Sequence, residues 1–344
     1  MTRQYRPTAE KRIRMSESAN NLINIGAQLK DVQSVAIGGH VHPDGDCVGA
    51  VTGLYRYIRK IKPEVAVDLY LKKIPDAYAF LGEGMPICDD FDEEAVPEYD
   101  LFFCLDCGDA GRLGFARPVL EHARRTVSID HHISNPEFAD VNRVEADASS
   151  TCEMLFEEFD PALIDREIAT ALFIGISHDT GIFRYSSASP KTFRIAAALM
   201  ETGIDASGLI TETYSVKAVE QQRAMADALI RAKIYDDGRM IASTMSVVQR
   251  EALQAKPEHM DGIVEQMRDT RGVECAAFLH ETRSGRWKLS LRSHKSVDVQ
   301  KIAAYFNGGG HVRAAGAMIE TEDPEKILSE IADLVSRQLE TGQS

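Results

Sequence analysis

Cationic surface is what this chain most lacks. Its 53 Asp and Glu outnumber 39 Lys and Arg, for a formal net charge of −14. Affinity for long nucleic-acid duplexes rests on neutralising phosphates, so such a partner is excluded. A small anion is still admissible, because bound cations invert the local field. Long apolar runs are also missing. Nothing approaches the roughly 18 unbroken apolar residues of a membrane helix, and the opening MTRQYRPTAEKRIRMSESANN has no apolar signal-peptide centre. No membrane partner and a cytoplasmic location are expected. Cysteine is scarce as well, with six residues, at 47, 88, 104, 107, 152 and 275. Their spacing suggests no disulfide framework, which fits a reducing compartment. Cys104 and Cys107 form a CxxC, but FFCLDCGD reads as a buried strand. Residues three apart in a strand point to opposite faces, so zinc or redox chemistry is not expected there.

The 344 residues correspond to roughly two domains. Residues 8–30 read as an amphipathic helix. SVAIGG (34–39), VAVDLYL (65–71), DLFFCLD (100–106) and TVSID (126–130) read as strands, with GAVTGLYRYIRKI (49–61) helical between the first two. Strands alternating with helices indicate a parallel α/β sheet. IATALFIGISHDTGIF (168–183) reads as a helix running into a loop, and RYSSASPKT marks the end of this domain. The expected division is 1–188 as the first domain, 189–234 as a helical linker, and 235–344 as a smaller α/β domain across a cleft. In the last, RMIASTMSV, VECAAFLHET and RWKLSLRS alternate as strands, VDVQKIAAYF is a helix, NGGGHVRAAGAM a Gly-rich loop, and DPEKILSEIADLVSRQLE a terminal helix with Pro near its first turn.

Acidic and histidine residues collect at the ends of the apolar elements. HVHPDGD supplies His40, Asp44 and Asp46, with Asp46 placed to cap the helix after it. Asp106 ends one strand, Asp130, His131 and His132 end another, and His178 and Asp179 end a helix. Ligands of parallel sheets bind at the carboxyl ends of the strands, so these clusters should converge. Asp44, Asp46, Asp106 and Asp179 together would carry about −4 in one partly buried place, and unpaired carboxylates there would protonate. Two divalent cations, about +4, remove the problem. Imidazole and carboxylate without thiolate suit manganese, magnesium, iron or zinc. Two metals roughly 3.5–4 Å apart, holding a bridging hydroxide and clamping ester oxygens, are the known device for phosphoryl hydrolysis. His42 and His178 read as neighbours of the ligands.

HVHPDGD, LDCGD, DHH and HDTG resemble the four motifs of the DHH phosphoesterase superfamily. SLRSHKSVDVQKIAAYFNGGGHVRAAG resembles the Gly-rich motif of its associated C-terminal domain. The resemblance covers roughly 30–320 and is nearest to the oligoribonuclease and 3′-phosphoadenosine 5′-phosphate (pAp) phosphatase branch. It implies a metal-dependent hydrolase of nanoRNA, about two to five nucleotides long, and of pAp. It implies one cation on His40, Asp44 and Asp106 and a second on Asp46, Asp106, His131 and Asp179. Manganese is the expected ion, with magnesium, iron, cobalt or zinc as substitutes. Asp106, as the bridging ligand, and His132, beside the reacting phosphate, would be catalytic. Asp130 would orient a histidine. Arg292, Gly309, Gly310 and His311 would hold the non-scissile end of the substrate, Arg292 as a planar fork and the glycines by close backbone approach. Relatives of this type are often dimers, so a homodimer is the expected state. The alternative activity is a cyclic or linear dinucleotide phosphodiesterase acting on c-di-AMP, pApA or pGpG. The Gly-rich motif argues against a pyrophosphatase, and the length and charge argue against a processive single-strand exonuclease.

Overall fold

The computed structural model describes residues 22–91 and 95–341. These divide into two compact units, with the chain passing from one to the other at Val216/Lys217. Among the described residues no helix is long and apolar enough to cross a membrane.

The first unit is built on six parallel strands: β1 (Ser34–Gly38), β2 (Ala66–Tyr70), β3 (Ile87–Cys88), β4 (Leu101–Leu105), β5 (Thr126–Asp130) and β6 (Val141–Val144). Their order is β3-β2-β1-β4-β5-β6, with every pair parallel. Its helices are α1 (Ile25–Gln28), α2 (Gly45–Ile61), α3 (Arg117–His122), α4 (Thr151–Glu158), α5 (Arg166–Asp179), α6 (Pro190–Glu201) and α7 (Ala206–Ile210). Side chains alternate across the sheet as the two-residue strand period requires. Val35, Ile37, Phe103, Leu105, Val127 and Ile129 face a core shared with α2, α4, α5 and α6. Ala36, Phe102 and Cys104 face the other side, with Val119 and Leu120 of α3. Both faces are covered, which is why these strands are near-continuous apolar runs. α2 and α5 approach closely because glycines line their contact. A Cβ on Gly49 would lie 2.4 Å from the Ala171 carbonyl oxygen, and one on Gly175 2.6 Å from Asp46 Oδ1.

The second unit carries a mixed sheet of β7 (Lys233–Tyr235), β8 (Met240–Met245), β9 (Cys275–Arg283), β10 (Arg286–Ser293), β11 (Gly309–His311) and β12 (Ala314–Glu320). The order is β11-β12-β10-β9-β8-β7, antiparallel throughout except for the β8/β9 pair. Its helices are α8 (Val219–Ile230), α9 (Val247–Ala252), α10 (Ile263–Arg268), α11 (Val299–Tyr305) and α12 (Pro324–Thr341). Leu289 and Leu291 pack with Ile302, Ile331 and Val335 on one face. Ile241, Ala276 and Phe278 pack with Ala224, Ala228 and Met267 on the other.

Four expectations change. The helix over 8–30 lies outside the described residues as far as 21, and its remainder holds only the single turn of α1, where the Asn24 side chain accepts the Ala27 N–H. The segment 189–234, expected to be a helical linker, is divided between the two units. Ile195, Ala196 and Leu199 of α6 pack into the first core, and α8 packs into the second. The Gly-rich loop is largely a strand, β11, paired with β12. Cys104 and Cys107 do not face apart but share one buried cluster, because β4 ends at Leu105 and Asp106 turns the chain with a φ of 56°. Both thiols are free.

Candidate metal and phosphoester site

The strand order of the first unit reverses between β1 and β4, and ligands of open α/β sheets bind at that switch point beyond the strand ends. His40 follows β1 and Asp106 follows β4. Asp130, His131 and His132 end or follow β5, the next strand. Asp106 takes a left-handed conformation, φ 56°, which Asp tolerates better than most residues. Its own N–H still bonds to the Ile129 carbonyl at 3.1 Å, so the backbone turns only after sheet pairing is complete.

The turn leaves the two oxygens of Asp106 facing different histidines. Oδ2 lies 3.5 Å from His40 Nε2, and Oδ1 lies 3.6 Å from His131 Nε2. His131 Nε2 also lies 3.0 Å from Asp179 Oδ2, on the last residue of α5. Thr151 Oγ1 donates to Asp106 Oδ1 at 3.3 Å.

The capping role expected of Asp46 falls to its neighbour. Asp44 is the residue that caps α2. Its Oδ1 accepts the N–H groups of Asp46 and Cys47 at 3.0 and 3.1 Å, and α2 therefore starts at Gly45, not 49. Asp46 sits inside the first turn and accepts from a different helix. The N–H groups of Thr151 and Cys152, at the start of α4, donate to its two oxygens at 2.7 and 3.0 Å. An anion at a helix N-terminus is stabilised there, and this partly compensates a carboxylate with no exposed surface.

His132 is held from behind. Its Nδ1 lies 2.7 Å from Asp130 Oδ1, and Asn135 Nδ2 donates to Asp130 Oδ2 at 2.7 Å and to the Cys107 carbonyl at 3.1 Å. Asp130, wholly buried, thus fixes the ring. His42 is exposed. Sequence reasoning missed Thr151, Asn135 and Tyr78, whose hydroxyl lies 2.9 Å from His178 Nδ1. None of them stands in a cluster of ligand-type residues, so only the folded contacts identify them.

The electrostatics show strong competition for protons. Burial opposes the Asp106 anion, but contacts with His131 and His40 outweigh it and hold its pKa far below the carboxylate range. Burial likewise opposes charge on His131, yet Asp106 and Asp179 push its pKa up to about 12. His40 is raised in the same way, Asp106 and Asp44 overcoming its burial. Asp46 is pushed well up by burial and by the charges of Asp106 and Asp179. The Asp130 contact raises His132.

The donor set suits divalent cations. Asp46, His131 and Asp179 offer ligand atoms within 4.8 Å of one another, as do Asp106, His131 and His132, and His40, Cys47 and Asp106. Carboxylate oxygens and imidazole nitrogens match what such ions take, and because a metal binds the neutral imidazole, uptake at these histidines would depend on pH.

In the second unit, Arg292 lies on β10. Glu265 occupies its fork, with Nε and Nη2 at 2.9 and 2.8 Å from Oε1, so this guanidinium is not an open phosphate receptor. A Cβ on Gly308 would lie 2.1 Å from the Gly316 carbonyl oxygen, and one on Gly310 2.6 Å from that of Ala314. Neither position admits a side chain beside β12. A Cβ on Gly309 would meet nothing within 4 Å, which leaves its backbone approachable. His311 is exposed on β11.

Residues 34–176 match the DHH family, N-terminal domain, and residues 238–337 match the DHHA1 domain. The chain is 29% identical over 314 residues to the bifunctional oligoribonuclease and PAP phosphatase NrnA of Thermus thermophilus, covering 90% of this chain and 92% of that protein. It is 23% identical over 305 residues to the protein of the same name in Bacillus subtilis, covering 86% and 92%. The crystal structure of an exopolyphosphatase-related protein from Bacteroides fragilis superposes with a TM-score of 0.85 at 25% identity, covering 92% of this chain and 96% of that one. With both of its units matched and its motif residues gathered at one sheet edge, the chain belongs to the DHH family and is a hydrolytic phosphoesterase.

Proposed function

We propose that this enzyme hydrolyses phosphate esters of very short oligoribonucleotides and of pAp, using two divalent cations. The observation that carries the reading is the placement of Asp106 between His40 and His131 at the switch point of the sheet. The near full-length similarity to proteins named for those two substrates supports the substrate class.

When bound, such cations would polarise the phosphoryl group and activate the attacking water. We assign His40, Asp44 and Asp106 to one ion and Asp46, Asp106, His131 and Asp179 to the other. The chain's own contribution is orientation. Asp44 and Asp46 are each pinned by two backbone N–H groups, so their carboxylates do not reorganise when charge develops. His132, backed by Asp130, offers an imidazolium edge to a phosphoryl or leaving-group oxygen, because that contact favours its protonated form. Gly309, Gly310 and His311 supply binding to the far end of the substrate, with Arg292 contributing only if Glu265 yields its fork.

The test compares wild type and His311→Ala with manganese on pAp, a dinucleotide, a five-mer, a cyclic dinucleotide and bis-p-nitrophenyl phosphate. A charge-assisted contact is worth roughly 1.5–3 kcal/mol. His311→Ala should therefore lose on the order of 10- to 150-fold in kcat/KM on pAp and dinucleotide and little on the generic ester. Equal losses on both would move His311 from anchoring to chemistry. Preference for the cyclic dinucleotide would replace the substrate assignment.

A further inference from the structure

Asp44 stands between two histidines, of which only His40 belongs to the two-cation centre. Its Oδ1 lies 3.8 Å from His40 Nε2, and its Oδ2 lies 3.6 Å from His178 Nε2. Ligand atoms of Asp44, His178 and Asp179 lie within 4.8 Å of one another. His178 is fixed from outside this group. Its Nδ1 lies 2.9 Å from the Tyr78 hydroxyl, the two rings meet edge-on with centroids 5.9 Å apart, and the Tyr214 ring lies 6.1 Å away. A Cβ on Gly45 would come within 2.7 Å of His178 Cβ, so the glycine between the two aspartates makes room for this side chain. His178 is thus tied through Nδ1 to Tyr78, and Nε2 is the ring nitrogen that faces Asp44. A partner on the far nitrogen is the usual means of orienting a metal-binding imidazole. The Tyr214 hydroxyl is buried and without a hydrogen-bond partner, with Asp179 and Asp44 among the groups whose charges act on it.

We propose that Asp44, His178 and Asp179 form a third divalent-cation site beside the two-cation centre, on whose existence the inference rests. The site is open, with side-chain exposures of 38%, 31% and 18% for Asp44, His178 and Asp179, so water or a phosphate oxygen completes the coordination. Two divalent cations roughly balance the four carboxylates, and a third leaves about +2. The third ion is therefore held weakly alone and more tightly when a phosphate dianion restores neutrality.

The test is titration of metal-free protein with Mn²⁺, free ion being followed by electron paramagnetic resonance, with and without inorganic phosphate. The expected result is two tight ions and one weaker ion per chain, the weaker one tightening with phosphate. His178→Ala should lose the weaker ion and keep the tight pair. Tyr78→Phe should weaken the third ion by about 10- to 100-fold, the usual effect of removing an outer partner. Saturation of wild type at two ions under both conditions, or a third ion retained in His178→Ala, overturns the proposal. Absence of the tight pair in wild type overturns the two-cation centre and this site with it. Should His178→Ala fail to fold, an unchanged third ion in Tyr78→Phe is the refuting result.

Discussion

Two buried acidic clusters lie in the first unit, and they are neutralised in opposite ways. Around Arg143, Glu145, Glu157 and Glu158 lie within 2.7–2.8 Å of the guanidinium, and Lys191 bridges Glu153 and Glu157 at 3.0 and 3.2 Å. Arg143 also donates to the Met154 carbonyl at 3.0 Å. There the chain supplies its own fixed cations, in the planar geometry that suits carboxylates. Around Asp106, the ion-pair partners of the aspartates are histidines, whose charge can be removed by losing a proton. The first cluster is complete and structural. The second has partners that can give up their charge, which is what the proposed exchange of protons for external cations requires.

The comparison is broken most severely at Asp106. Asp106→Asn should reduce turnover by more than about 100-fold, since even outer partners of metal ligands cost up to that much. The fold should survive, because the amide is isosteric. Turnover and elemental analysis check this, and near-wild-type activity with two ions bound would refute the shared-ligand role. The opposite pattern is expected at Arg143. Arg143→Met leaves buried Glu158 without its guanidinium and Glu157 with Lys191 alone and should cost about 3–5 kcal/mol, read from denaturant unfolding, while metal stoichiometry stays unchanged. A loss of bound metal with unaltered stability would erase the distinction between the clusters.

The smallest effect sharpens the contrast by a histidine that must stay neutral. His280, on β9, is buried, and burial together with the charges of Lys288 and Arg250 lowers its pKa from 6.5 to about 4. The unfolded chain therefore binds this proton first as pH falls. The stabilisation is fully present above pH 6.5 and is lost between there and about pH 4. Its size is on the order of 3 kcal/mol. His280→Leu should flatten this part of the stability–pH curve of metal-free protein. Parallel curves for the two proteins would refute the burial argument.

Legibility in the sequence falls off with the range of the contacts involved. β1 and β4 were readable because a strand covered on both faces is a near-continuous apolar run, as SVAIG and LFFCL are, and β5 because Val127 and Ile129 alternate with polar residues at the strand period. β3 and β6, with two and four residues at the sheet edge, carry too little pattern to stand out. β11 was hidden by its glycines, which read as a turn until Gly308 and Gly310 are seen to pack against β12.

Residue identity and periodicity alone dictated the acidic and histidine residue types, their grouping at the ends of apolar elements and the excess of carboxylate charge among them. Folding in three dimensions was needed to settle which helix each aspartate serves, which histidine each oxygen of Asp106 faces, and that Glu265 holds the Arg292 fork. Those depend on contacts between residues far apart in the chain: Asp46 meets Thr151 across 105 positions and His178 meets Tyr78 across 100. Local pattern carries no record of such distances. They are set when glycines let α2 and α5 close upon one another and the order of the strands brings β1 beside β4.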